Sequence, residues 1–371
     1  MSRIVLHIGT HKTGTSFIQQ HMIKHRAAYQ AAGLTFPKFR GSPGHHGLVA
    51  DHVGLDQSMR LKEGDEAGWR WLNQKYGQGD HSVFVSSEEI ARMAPNSKLD
   101  FAQVKDWLCD FEEISVVVVV REQVAYLSSI YSQIALNRSQ VAPRTLFKTA
   151  LESDFFTGLA LDYNKLLDNL EIHFTPERIQ FLTYEDAKSH SAGILQPVLA
   201  AHLGDLDLTS AISLPSEPVN VSRDPLALFA ANSITPGNGP AEPEVIEGMR
   251  KLIEDRFGTR TKTSVFNDTE IEAMIERFET PNRRLEERIR LRQPEFRVAP
   301  PKNYADHVTR KQLTKRFWMD AAKWALAFRS EAPSPAAEEG TASPGQDSPE
   351  HSSSVENEKP RSLVAWPWSR R

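Results

Sequence analysis

Short apolar runs alternate with longer amphipathic stretches through the first half of the chain. Arg3–Ile8, Ser82–Ser86, Ile114–Val120 and Arg178–Thr183 are rich in β-branched and aromatic residues and predict strands. The unbroken valines from Val116 to Val120 predict a central strand buried on both faces, because a half-exposed strand would alternate apolar with polar. Between these runs, Thr15–Ala32, Phe101–Phe111, Gln123–Asn137 and Leu161–Leu170 predict helices. In Gln123–Asn137, Tyr126, Ser129 and Gln133 fall on one face, and Val124, Leu127, Tyr131 and Ile134 form the expected core stripe on another. Strands and helices in alternation predict an α/β fold built on a parallel sheet flanked by helices.

From Asp224 the strand pattern gives out and helices are predicted. Asn267 and Glu270 stand at capping-box spacing before a long charged helix through Arg292. After Phe328 the chain turns to Pro, Ser, Glu and Gly, too polar to offset the entropy of ordering, so a disordered tail is predicted. The expected division is an α/β core over residues 1–223, a helical C-terminal part of the same domain over 224–329, and the tail over 330–371.

Composition narrows the function more than the fold. The chain has 371 residues, 40% of them hydrophobic, enough for one large core or two modest ones. Its formal net charge of −4 provides no broad attraction to nucleic acid or an anionic membrane, so any anion must be recognised by a local site. The single cysteine, Cys109, rules out an intrachain disulfide and a CxxC zinc site, and a reducing compartment is expected. The apolar stretch at the start, Ile4–Ile8, is too short for a signal peptide or a membrane span, so the protein is expected in the cytoplasm. The Asn-x-Ser/Thr sequences at Asn137, Asn220 and Asn267 then carry no implication of glycosylation.

The first predicted strand runs directly into Gly9-Thr10-His11-Lys12-Thr13-Gly14-Thr15-Ser16 and then a helix start. A strand–loop–helix junction gathers unpaired backbone N–H groups and the positive end of the helix dipole, and glycines let the backbone approach a phosphate. Lys12 adds a charge, and the Thr15 and Ser16 hydroxyls add donors. Lys12 precedes Gly14, whereas the Walker A pattern places Lys after its second glycine, so ordinary ATP or GTP hydrolysis is disfavoured. The valine strand ends in Arg121, where a magnesium-binding Asp would otherwise be wanted. Arg121 is followed eight positions later by Ser129, and a third strand end reads Leu182-Thr183-Tyr184-Glu185-Asp186.

Together these segments resemble the sulfotransferases that use 3′-phosphoadenosine 5′-phosphosulfate (PAPS), in particular their bacterial branch, over roughly residues 3–187. The resemblance implies a P-loop-type sheet, with the loop from Gly9 to Ser16 on the 5′-phosphosulfate, Arg121 and Ser129 on the 3′-phosphate, and Tyr184 near the adenine. It further implies transfer of a sulfuryl group to a hydroxyl or amine acceptor, first a saccharide or glycan, with no metal. The family's C-terminal basic segment that closes over the nucleotide has no obvious match in this chain; Arg310-Lys311 is the nearest candidate.

Such a transfer needs a base for the acceptor proton. Glu88 follows the Ser82–Ser86 strand, at the end of the sheet where ligands bind, and is the first choice; His46, in the pair His45-His46, is the second. The main alternative is a magnesium-dependent P-loop kinase or nucleotide hydrolase. A further reading gives the work to the tail, where Trp366 and Trp368 beside Arg370 and Arg371 could touch a membrane surface or a partner.

Overall fold

A computed structural model describes residues 1–39, 42–137, 142–214, 223–237 and 239–331. Five parallel strands form the main sheet: β1 (Arg3–His7), β2 (Leu34–Thr35), β3 (Ser82–Ser86), β4 (Glu113–Val120) and, after the small hairpin of β5 (Phe155–Phe156) and β6 (Leu159–Ala160), β7 (Ile179–Thr183). Their order is β2-β3-β1-β4-β7. The chain leaves β1 towards one edge and returns to its other side, so β1 lies at the switch point where such sheets open a crevice beyond the strand C-termini.

Period-two alternation on buried strands divides the core. Val116, Val118 and Val120 face one layer together with Ile4, Leu6, Val83 and Val85. Val117 and Val119 face the other with Val5 and Phe84. All five valines are fully buried, each stabilising by about 2 kcal/mol through apolar burial.

The predicted first helix is interrupted. It forms α1 (Thr15–Lys24) and α2 (Arg26–Ala31), broken at His25, whose φ of −109° leaves the helical region. On the same face as α1 and α2 lie α8 (Tyr184–Ser189), α9 (Leu195–Leu203) and α10 (Thr209–Ile212); α3 (Asp65–Tyr76), α4 (Phe101–Trp107) and α7 (Tyr163–His173) cover the opposite face. The remaining helices, α5 (Gln123–Ala135), α6 (Pro143–Glu152), α11 (Pro225–Ile234), α12 (Pro243–Phe257), α13 (Asp268–Arg290) and α14 (Lys315–Glu331), share a separate core.

That helical core corrects the stripe expected for α5. Tyr126 is as fully buried as Leu127 and Tyr131, because α11 and α13 cover sides that periodicity alone would leave to solvent. The capping box of Asn267 and Glu270 is present at the start of α13. Pro281 interrupts that helix's hydrogen bonding without ending it, and its carbonyl accepts from Asn164 Nδ2 at 2.8 Å. Strands do not stop at Asp224: β8 (Thr263–Ser264) pairs in parallel with β9 (Val308–Thr309), each two residues long and too short to leave a period in the sequence. α14 continues to Glu331, into the expected tail; residues 332–371, including both tryptophans of that tail, and the sequon at Asn220 lie outside the described residues. Among the described residues no helix is long and apolar enough to cross a membrane.

Candidate active site

The loop after β1 is fixed to β4 before any ligand is considered. Ile8 N donates to Val117 O at 3.0 Å, and Thr10 donates to Val119 O through both its backbone N at 2.8 Å and its Oγ1 at 3.0 Å. Two residues then take the left-handed backbone region, Lys12 at φ 64° and Gly14 at φ 83°. For a lysine this conformation costs roughly 1–2 kcal/mol, which the surrounding bonds must hold in place. Gly14 occupies the N-cap of α1 with no side-chain cap, so the first-turn N–H groups face the loop without a protein partner from that position.

The loop's side chains divide sharply. Thr13 Oγ1 is committed to Thr10 O at 2.5 Å, Ser16 is exposed, and His11 Nε2 is bonded to Glu89 Oε1 at 3.0 Å. Thr15 Oγ1 is buried with no hydrogen-bond partner. A Cβ at Gly9 would sit 3.0 Å from Thr15 Oγ1, 3.2 Å from His7 Nε2 and 3.3 Å from Thr13 Oγ1, so only glycine leaves this cradle open. An orphaned hydroxyl, an uncapped helix start and Lys12 therefore meet at one place, and the donor set fits a phosphate or sulfate group. Burial and the nearby Arg121 guanidinium push the Lys12 ammonium below its ordinary value, while Glu88 acts in the opposite direction.

Arg121 joins this loop to the end of β4. Its NH1 donates to Lys12 O at 3.0 Å and to Ser129 Oγ at 2.9 Å, and its guanidinium lies 4.9 Å from the centre of the Tyr184 ring. Tyr184 also borders the loop, 3.6 Å from where a Gly14 Cβ would be. The eight-residue spacing of Arg121 and Ser129 places both at one point because α5 begins two residues after β4 and brings Ser129 back over the strand end. Glu185 lies 3.9 Å from Arg121 Nε; burial raises its carboxyl above the ordinary range, with Arg121 opposing. Glu122 is spent on capping α5, accepting from Val124 N and Ala125 N at 2.8 Å, and on the Tyr304 hydroxyl at 2.9 Å.

The other wall follows β3. Glu88 begins a single turn of 3-10 helix, Glu88–Ala91, which Ser87 Oγ caps by accepting from Glu89 N at 3.3 Å. The two residues proposed separately as base stand side by side, with His46 Nε2 3.9 Å from Glu88 Oε2 and His46 Nδ1 2.8 Å from Ser87 Oγ. His45 points elsewhere: its Nε2 donates to Pro37 O at 2.9 Å and its Nδ1 accepts from Ser86 N at 2.9 Å, which fixes a neutral ring. Burial pushes His45 down to about 4.

No family model and no curated protein matches the chain. In fold it is similar to a sulfotransferase from Alicyclobacillus acidocaldarius, at 12% identity and TM-score 0.35 over 69% of this chain and 92% of that one. It is also similar to mouse sulfotransferase SULT7A1 complexed with PAP, at 12% identity and TM-score 0.35 over 80% and 89%, and to the sulfotransferase domain from the Curacin biosynthetic pathway, at 12% and 0.32 over 81% and 98%. At these values the functional reading rests on the residues of this chain.

Several participants carried no signal in the sequence. Glu89 and Arg92, bonded to each other, tie His11 of the loop to the turn after β3, and Arg92 NH1 reaches Thr157 O at 2.9 Å. Burial alone would raise the Glu89 carboxyl, yet His11 and Arg92 hold it well below the carboxylate range. Of the candidate closing pair Arg310-Lys311, Arg310 is bonded to Val265 O and Glu270, while Tyr304 reaches Glu122 beside Arg121. Arg310 is drawn away because the buried Glu270 of the α13 cap needs a cation.

Proposed function

We propose that this protein is a sulfotransferase that moves the sulfuryl group of PAPS to a hydroxyl or amine, in the first instance on a saccharide or glycan. The observation that carries the reading is Arg121, whose NH1 bridges the Lys12 carbonyl and the Ser129 hydroxyl and so joins the two segments that we read as anion sites. A nucleotide with phosphates at both its 3′ and 5′ positions matches two such sites; one with only a 5′ chain matches one.

In this reading the α1 N-terminus and Thr15 hold the 5′-phosphate, Arg121 and Ser129 the 3′-phosphate, and Tyr184 lies beside the base. The acceptor oxygen or nitrogen forms a bond to sulfur as the bond from sulfur to the bridging oxygen breaks, and the electron pair passes to that oxygen. Lys12 stabilises the charge that builds there. Glu88 takes the proton of the acceptor, with His46 alongside. Arg121 after β4 and the commitment of Glu122 to the α5 cap leave the usual magnesium position of a P-loop kinase without its carboxylate.

Calorimetry tests the reading. Adenosine 3′,5′-bisphosphate is expected to bind more tightly than adenosine 5′-phosphate or ATP. Arg121→Ala should weaken the bisphosphate by about one to two orders of magnitude, the worth of a charge-assisted hydrogen bond, and leave adenosine 5′-phosphate nearly unchanged. Ser129→Ala should cost less. Equal losses for both nucleotides would return the kinase reading to first place.

A further inference from the structure

Resting on that reading of Glu88, we infer that Gln19 is a positioning residue for the base, seated in a notch that only Gly44 leaves open. Gln19 is buried in α1 at 2% exposure, one helical turn beyond Thr15 and on the same face. Its amide nitrogen lies 3.2 Å from Ser86 O, 3.3 Å from Ser86 Oγ and 3.4 Å from Glu88 Oε2. A main-chain carbonyl and a carboxylate can only accept, so the nitrogen and not the oxygen of the amide faces them.

The opposite side of the amide is closed by the chain before the two histidines. A Cβ on Gly44 would stand 2.5 Å from Gln19 Nε2, 2.6 Å from Cδ and 2.7 Å from Oε1, so an added methyl would push the amide out of its seat. The loop carrying His46 therefore presses flat against the amide on one side, and the turn carrying Glu88 takes its N–H groups on the other. Gln19 is thus held between two segments that His45 and Ser86 also join directly, and its amide is the contact that reaches from them to Glu88. Because the same helix face carries Thr15 about 6 Å away, the segment that cradles the anion and the residue that aims the base are parts of one rigid body. In-line transfer demands that arrangement, since a misplacement of about 1 Å costs on the order of a hundredfold in rate.

The other charged and titratable groups facing Glu88 are Lys12 from the loop, His7 from β1 and His46 from the segment after Gly44, and none of them is altered by changing Gln19. Replacing the donor amide by an acceptor of the same shape, Gln19→Glu, should therefore move the acid limb of the pH–rate profile upward, because the ionised form of Glu88 loses a donor and gains a like charge. Gln19→Met, which keeps the bulk and drops the donors, should move it the same way by less and serves if the glutamate variant does not fold. Gln19→Ala and Gly44→Ala should each lower kcat by about ten- to a hundredfold with the affinity for adenosine 3′,5′-bisphosphate retained. The double variant should be no worse than Gln19→Ala alone, since the added methyl then meets empty space.

A packing role without positioning predicts lower melting temperatures with an unmoved acid limb, and that result, or losses that multiply in the double variant, would overturn the inference. The carboxyl ¹³C titration of Glu88 in the whole protein without substrates, assigned with Glu88→Gln, reads the same coupling independently of turnover. If the wild type fails to bind the bisphosphate while Gln19→Glu still shifts that titration, the PAPS reading falls and the positioning by Gln19 stands.

Discussion

The two sides of the crevice are built on opposite plans. On the proposed nucleotide side, the Thr15 Oγ1 and Arg121 Nε donors are buried without a hydrogen bond, with Glu185 3.9 Å from the latter. On the base side, His45, Ser86, Ser87, His46 and Gln19 are bonded to one another or to the main chain. A buried polar atom left unpaired costs about 1–3 kcal/mol, so the two donors of the first side await an acceptor, whereas the five residues of the second are already bonded, with His7 Nε2 beside them left unpaired. The difference follows from the tasks proposed for them. A site for a polyanion must exchange its bonds with water or protein for bonds to the ligand, whereas a base that acts on a proton must already be in position.

The largest effect is expected from removing the base itself. Glu88→Gln should lower kcat by about 10²–10⁴-fold while leaving the affinity for adenosine 3′,5′-bisphosphate unchanged, because it touches only the prebuilt side. If His46→Ala shows that pattern in its place, His46 is the base. Single-turnover kinetics with titration of the nucleotide separates the two outcomes.

Lys12→Ala should lower kcat by about 10²–10³-fold, the worth of one donor to developing charge. Unlike Glu88→Gln it should also weaken nucleotide binding, since Lys12 belongs to the side that the ligand completes. Near-normal turnover in a folded Lys12→Ala protein would erase the contrast between the two sides.

The prebuilt side should also be the more acid-sensitive. The neutral His45 ring uses both nitrogens, and its pKa of about 4 lies below the ordinary 6.5. Between these values the unfolded chain binds a proton that the folded chain refuses, so stability falls as pH falls through that window, by roughly 3 kcal/mol for this one ring. His7, likewise held at about 4 by burial, adds in the same direction. Denaturant midpoints from pH 7 to pH 4 should drop, and His45→Gln should flatten the slope; a pH-independent midpoint would show that neither ring is held neutral.

The smallest effect is expected from removing the end of the chain. Truncation after Phe328 retains the stacked pair Trp324 and Phe328, 5.0 Å apart, and should leave the melting temperature and nucleotide affinity unchanged. A large drop in either would tie the tail to the crevice.

Legibility in the sequence tracked locality. The loop from Gly9 to Ser16, the eight-residue step from Arg121 to Ser129 and the strand end at Tyr184 are each contained in one strand–turn–helix unit, so chain geometry alone brings them to the same edge of the sheet. The valine run likewise declared a strand buried on both faces. The sequence by itself thus determined the parallel sheet, the Gly9–Ser16 turn and two segments that meet it, because those depend on period, turn chemistry and short spacings.

Tertiary structure decided the rest. Which loop residues remain available was settled by partners distant in the chain: His11 is taken by Glu89, 78 positions away, and Arg310 by Glu270, 40 positions away. The meeting of Glu88 with His46, the seat of Gln19 against Gly44 and the reach of Tyr304 to Glu122 across 182 positions have no local pattern either. Each depends on which surfaces are pressed together when the two cores form, and burial then compels every polar group to find a partner or await a ligand.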